Sequence, residues 1–233
     1  MLDQGIYPHT KSKTNNFKPK SIGFGMGVYN IYKPKGPTSY DIIRQIKRDA
    51  ADKKIGHGGT LDPLASGVLI VAIGREFTKQ LDEISRGEKE YEATIKLGQT
   101  STTQDEEGEK TNFDVDKVPN RASVEKVLNE FTGKVKQIPS QFSALKIKGQ
   151  PAYKLARRGE KVELKEREIE IRKIELISYK YPILKIRVIC SSGTYIRTLA
   201  NDIGIKLKTG GYLSDLVRTR VSGFKLGESI KIE

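Results

Sequence analysis

The chain has 233 residues and a formal net charge of +13, from 42 Lys and Arg against 29 Asp and Glu. That length suits one main domain with its own core, and so basic a chain favours a polyanionic partner, nucleic acid first and an anionic membrane surface second. One cysteine and two histidines exclude a disulfide framework and any zinc or iron site of ordinary ligand spacing. The longest apolar stretch, Gly67 to Ile73, is far too short to span a bilayer, so a soluble, cytoplasmic protein is expected.

Residues 1–27 carry Lys11, Lys13, Lys18 and Lys20 without apolar periodicity and read as a flexible basic arm. Val28 to Tyr32 reads as a strand, broken by Lys33-Pro34-Lys35-Gly36-Pro37. A helix then starts near Thr38 or Ser39, with Ile42, Ile43 and Ile46 on its apolar face.

Val68 to Ile73 reads as a buried strand, and Glu76 to Ile84 as a helix ending before Gly87. Tyr91, Ala93, Ile95 and Leu97 alternate with polar residues, the period-two pattern of a half-buried strand. Gln104 to Asp116 reads as an acidic, solvated loop; a magnesium site at Gln104 to Glu109 is the weaker alternative. A helix is expected from Ser123, with Val124, Val127, Leu128 and Phe131 on one face and Gly133 as terminator.

Residues 133–167, rich in Lys and Arg with Phe142, Tyr153 and Leu155 interleaved, read as a mobile surface excursion suited to a phosphate backbone. Strands follow around Ile169 to Ile177 and Leu184 to Cys190, then a turn at Ser191-Ser192-Gly193 and a helix from Thr194. The tail from Tyr212 to Phe224 shows short apolar elements. Cys190, inside an apolar run, reads as a buried structural thiol. The class is α+β with a mixed, largely antiparallel sheet flanked by helices.

The chemistry is narrowed by what is missing. Without a second usable histidine or a nucleophile elbow, carboxylate, tyrosine and arginine chemistry remain. The glycines around His57 match neither the Walker nor the dinucleotide pattern. By residue type alone, Asp62 is a turn residue before Pro63, His57 a loop residue, Tyr91 a core ring and Arg197 a surface or phosphate-binding arginine.

The segment KIGHGGTLDPLASGVL, residues 54–69, resembles the catalytic signature of the TruB family, the bacterial tRNA pseudouridine-55 synthases. Further segments match in the family's order: KPKGPTS at 33–39, KEY at 89–91, GKVKQIP at 133–139 with Phe142-Ser143-Ala144, and CSSGTYIR at 190–197. The resemblance implies a pseudouridine-synthase fold over residues 28–233, an RNA-gripping insertion at about 133–167, and isomerisation of the T-loop uridine of tRNA, position 55, by base flipping.

By the same resemblance Asp62 is the catalytic aspartate, Arg197 its ion-pair partner, and Tyr91 the ring that stacks on the flipped uracil and a candidate base at C5. His57 contacts RNA, Lys33 supports the floor of the site, and Leu216 lines the uracil pocket. The partner is the T-arm of tRNA, no cofactor or metal is required, and a monomer is expected.

Two departures from the family pattern stand out. The chain ends at Glu233, where relatives continue into a PUA-type C-terminal domain, so a short form without it is expected. Ser101 and Thr102 stand where Thr-Asp is usual, so the charge role of that aspartate is lost or moved to Asp105. Two other readings compete: a non-catalytic RNA-binding or tRNA-folding chaperone, and a synthase acting on another RNA.

Overall fold

The computed structural model describes residues 23–232 apart from 53, 144, 148, 153, 154, 156, 157, 159 and 161–163. The basic arm over 1–22, Ala144 of the matched segments and Tyr153 of the 133–167 stretch lie outside the described residues.

The elements in chain order are β1 (Gly27–Lys33), α1 (Ser39–Asp49), β2 (Ile55–Gly58), β3 (Ala65–Ile73), α2 (Arg75–Thr78), α3 (Leu81–Arg86), β4 (Lys89–Leu97), β5 (Gln99–Ser101), β6 (Lys110–Asn112) and α4 (Arg121–Glu130). They continue as β7 (Gly133–Gln137), β8 (Lys146–Ile147), β9 (Gln150–Pro151), β10 (Arg167–Lys180), β11 (Ile183–Cys190), α5 (Ile196–Lys206), β12 (Gly211–Val221), β13 (Phe224–Lys225) and β14 (Ile230–Lys231).

One large sheet runs in the order β14-β1-β3-β12-β4-β11-β10-β7, with β2 beside β3 and β13 beside β12. Its pairs are antiparallel except β1 with β14 and β3 with β12. The fold is therefore the mixed, largely antiparallel α+β class expected.

The apolar patterns explain the layering. Strand β3 is almost uninterruptedly hydrophobic because both its faces are covered. Leu69, Val71 and Ile73 pack with Ile42, Ile43 and Ile46 of α1, while Val68, Ile70 and Ala72 pack with Leu81 of α3. In β4 the odd-numbered residues from Lys89 to Leu97 are buried and the even-numbered ones are not. That inner face joins Val124 and Leu128 of α4 and Leu199, Ala200 and Ile203 of α5 in the main core. Helix α1 starts with a capping box: the Thr38 hydroxyl accepts from the Asp41 amide, and Asp41 accepts from the Thr38 amide.

Several expectations are corrected. Phe24 is buried and bridges Ala50, so the fold begins inside the segment assigned to the arm. The helix read over 76–84 is two short helices separated at Lys79 and Gln80. Helix α4 starts at Arg121, because the Asn120 side chain accepts from the Ser123 amide and takes the cap position. The loop at 104–116 contains β6, paired with β5.

The start of the supposed excursion, β7, is an edge strand of the main sheet, paired with β10. Its lysines are the usual protection of an exposed edge. The helix expected from Thr194 starts at Ile196, and the tail of short elements is one 11-residue strand, β12, at the centre of the sheet.

Candidate active site

A cavity of about 300 Å³ opens where β12 lies between β3 and β4; its lining includes Asp62, Tyr91, Leu216 and Arg197. These four sequence-predicted residues come from four elements. Asp62 is within the loop entering β3, Tyr91 is the third residue of β4, Leu216 is central in β12, and Arg197 is in the first turn of α5. Lys33 and His57 are not among the lining residues.

The Asp62 loop is held by the KPKGPTS segment. Ser39 at the start of α1 clamps Leu61 twice, its hydroxyl donating to the Leu61 carbonyl at 3.0 Å and accepting from the Leu61 amide at 2.9 Å. The Gly36 amide donates to the Pro63 carbonyl at 2.8 Å. Lys33 is fully buried and donates to the carbonyls of Ala65 and Pro34 at 2.6 and 2.9 Å. Burial pushes its amine down to about 8, against the opposing pull of the Asp62 charge. Lys33 thus stands beneath the loop and holds backbone.

Arg197 is buried and forms an ion pair with the Asp62 carboxylate through Nη2. Its Nη1 lies 3.3 Å from Asp105, whose side chain is 3 % exposed, whereas that of Asp62 is 40 % exposed. One guanidinium fork is shared by two carboxylates, one sequestered and one facing the cavity. Of the two alternatives posed for the altered LG loop, a move of charge to Asp105 is the one the geometry supports. Asp105 is fixed in turn by the Thr103 hydroxyl and by the Glu107 amide at 3.1 Å.

Tyr91 is buried, and burial raises the pKa of its hydroxyl even though Arg218 beside it pulls the other way. It is a protonated phenol at neutral pH, which suits a stacking ring and disfavours a base at C5. His57 is on β2, opposite Val71 of β3, where a loop residue was expected. Its Nε2 is 3.1 Å from the Thr60 hydroxyl, and burial, with a smaller push from Arg218, lowers its pKa, so it is neutral near pH 7. The thiol of Cys190 is buried and pushed up to about 11, the inert structural thiol expected.

Arg218, which sequence reasoning passed over, is the centre of the site's floor. It is paired in register with Tyr91 of β4 and Gly67 of β3. Its side chain is 1 % exposed and donates to the Val68 carbonyl at 2.7 Å and the Gly59 carbonyl at 2.8 Å. Its charge also lies beside the Tyr91 hydroxyl. The signal was present: Arg218 follows Leu216 by two residues and so shares its inward face, an unusual place for a charge.

Gln137 was missed as well. From the end of β7 its amide donates to the Tyr195 carbonyl at 3.0 Å and accepts from the Tyr195 amide at 2.9 Å. Tyr195 is the N-cap of α5, so Gln137 fixes the turn that carries Arg197.

The family model described as TruB family pseudouridylate synthase (N terminal domain) matches residues 47–196. That span includes Asp62 and Tyr91 and stops one residue before Arg197. The tRNA pseudouridine synthase B of Clostridium acetobutylicum is 44% identical over 207 residues, covering 89% of this chain and 71% of that protein. The enzyme of the same name from Parabacteroides distasonis is 47% identical over 195 residues, covering 81% and 83%.

Among solved structures, a Cbf5-Nop10-Gar1 complex is similar with a TM-score of 0.70 and 32% identity, covering 89% of this chain and 52% of that one. An H/ACA RNP bound to a substrate RNA containing 2'-deoxyuridine gives a TM-score of 0.65 at 30% identity, covering 88% and 51%. The chain thus spans about half the length of the solved chains it matches.

Proposed function

The chain belongs to the TruB family of pseudouridylate synthases, and from that membership we propose that it isomerises the T-loop uridine of tRNA, conventionally position 55, to pseudouridine. The observation that carries the reading is the Arg197 to Asp62 ion pair opening on a cavity floored by Tyr91 and Leu216. The relatives named tRNA pseudouridine synthase B support tRNA as the substrate class.

In this reading the target uridine leaves its stack and enters the cavity between the Tyr91 ring and the Leu216 side chain. Extrusion costs a few kcal/mol, offset by the contacts of a strongly basic chain with the RNA backbone. His57, beside the Asp62 loop and outside the cavity, contacts the RNA that surrounds the extruded base.

Asp62, paired with and aimed by Arg197, assists cleavage of the N1–C1′ bond. The freed uracil turns in the cavity and bonds to C1′ through C5; the C5 proton passes to solvent and N1, which carries no hydrogen in uridine, takes one up, so the reaction is an isomerisation with no net change of atoms. Tyr91 contributes its ring face. Asp105 and Gln137 act through Arg197, the first by charge and the second by position.

The reading is tested by release of tritium from tRNA labelled at C5 of uridine. Asp62→Asn keeps the shape and removes the carboxylate charge, and release should fall on the order of 10⁴-fold or more with tRNA affinity retained. Undiminished release from that variant would overturn the reading. A protein inert with all tRNA labels, yet active in refolding tRNA, would be the chaperone instead.

A further inference from the structure

Among the described residues, two buried side-chain polar atoms have no hydrogen-bond partner: the hydroxyl of Ser143 and Nε of Arg167. Ser143 belongs to the cavity that holds Asp62, and Arg167 packs on two of that cavity's lining residues. Ser143 lines it directly, as do Gly193 and Tyr195. Arg167 lies over the Tyr195 ring, 4.7 Å from its centroid, and donates to the Gly193 carbonyl.

A covered polar atom without a partner is uncommon, because its lost hydration goes uncompensated. Arg167 retains another nitrogen that is bonded; Ser143 has one hydroxyl, and the residue is 2 % exposed. Two other lining hydroxyls are engaged within the protein. Thr194 donates to the Ser191 carbonyl at 3.0 Å, and Thr60 meets His57 at 3.1 Å. Ser143 also comes from outside the main sheet, on the segment between β7 and β8.

We propose that Ser143 is a substrate-binding residue whose hydroxyl hydrogen-bonds the edge of the base held in the cavity. This rests on the reading of that cavity as the uridine site. The strand-borne lining offers the base the ring and apolar groups of Tyr91, Leu213 and Leu216 and two cations, Lys89 and Arg218, that donate to backbone carbonyls, which leaves the uracil edge without a neutral partner. A neutral hydroxyl matches that edge because it can donate to a carbonyl or accept from the N3–H. One χ1 step exchanges the staggered positions of a serine oxygen, so the hydroxyl covered in the free protein turns to the base without backbone movement.

The test is Ser143→Ala, with kcat/KM from C5 tritium release and melting temperature measured together. The proposal expects kcat/KM to fall roughly 3- to 10-fold, the size of one lost neutral hydrogen bond. It expects the melting temperature to hold or rise, since a hydroxyl without a partner has been removed. Unchanged kcat/KM overturns it, and so does a fall in melting temperature alongside the lost activity, which marks a structural role. If Asp62→Asn releases tritium normally, the uridine-site reading itself fails; if that variant is inert while Ser143→Ala equals wild type, only the Ser143 assignment fails.

Discussion

The cavity has two halves built on different principles. Its floor comes from strands: Tyr91, Leu216 and Arg218 sit on β4 and β12, nearly covered and locked by ladder register. Its working edge comes from connections: Asp62 on the loop before β3, Gly193 and Thr194 before α5, and Ser143 on the segment after β7. The floor fixes position through packing and backbone pairing. The edge keeps its carboxylate 40 % exposed, open to a substrate, and is held by tethers such as Ser39, Gln137 and Arg197. The comparison teaches that each half should break in its own way, the floor through stability and the edge through rate.

The floor breaks most severely at Gly67. This glycine has φ of +111°, and a Cβ there would stand 2.2 Å from the Arg218 carbonyl oxygen, so β3 and β12 can meet only without a side chain. Gly67→Ala should cost about 4 kcal/mol or prevent folding. Gly59 touches the same arginine from the edge half: its φ is +76°, but a Cβ would lie 3.4 Å from the guanidinium. Gly59→Ala should cost only about 1 to 2 kcal/mol, the penalty of a left-handed backbone. Urea unfolding of the two variants measures both, and equal losses would contradict the division of the site.

The edge breaks at Gln137. Gln137→Leu preserves most of the volume but strips both hydrogen bonds from Tyr195, at roughly 2 kcal/mol. Because Arg197 follows two residues later, turnover should fall by more than tRNA affinity does. Equal effects on kcat and KM would mean that Gln137 does not act through the ion pair.

How much of this was legible in the chain depends on whether the determining physics is local. The capping box of α1, the alternation of β4 and the doubly buried run of β3 all declare themselves within a few residues. Strand β12 did not, because Ser214, Asp215, Arg218, Thr219 and Arg220 interrupt its apolar pattern, and its central place is conferred by β3 and β4. The lysines of β7 suggested a surface excursion for the same reason that they protect a sheet edge. In the site, Asp62, Tyr91, Arg197 and Leu216 were found through the family resemblance and lie together on one cavity. Arg218 and Gln137 were passed over because their importance is to backbone groups far away in sequence, at Gly59, Val68 and Tyr195. Asp105 was half legible: the altered loop named it, but its burial against Arg197 required the fold.

The smallest expected effect sharpens the contrast by titration. Lys33 beneath the floor and Lys89 in the cavity lining are covered amines that donate to backbone carbonyls, and burial brings both down to about 8. In the unfolded chain a lysine titrates near 10.4, so between pH 8 and that value the unfolded state holds more protons than the folded one. Stability must therefore rise with pH across this window, by at most about 1.4 kcal/mol per pH unit for each amine. Below pH 8 both amines are charged in either state, and the fold bears their full desolvation. Tyr91 acts in the opposite sense, because its raised pKa lets the unfolded chain lose its proton first, near pH 10. Between pH 7.5 and 9.5 the lysines are opposed by Cys190, whose buried thiol is pushed up to about 11 and which loses its proton first in the unfolded chain. In urea unfolding across this window Lys33→Met should lower the slope by up to about 1.4 kcal/mol per pH unit whatever it does to absolute stability. An unchanged slope in that variant would show that the floor carries Lys33 as an ordinary charged side chain, and would remove this distinction between the halves.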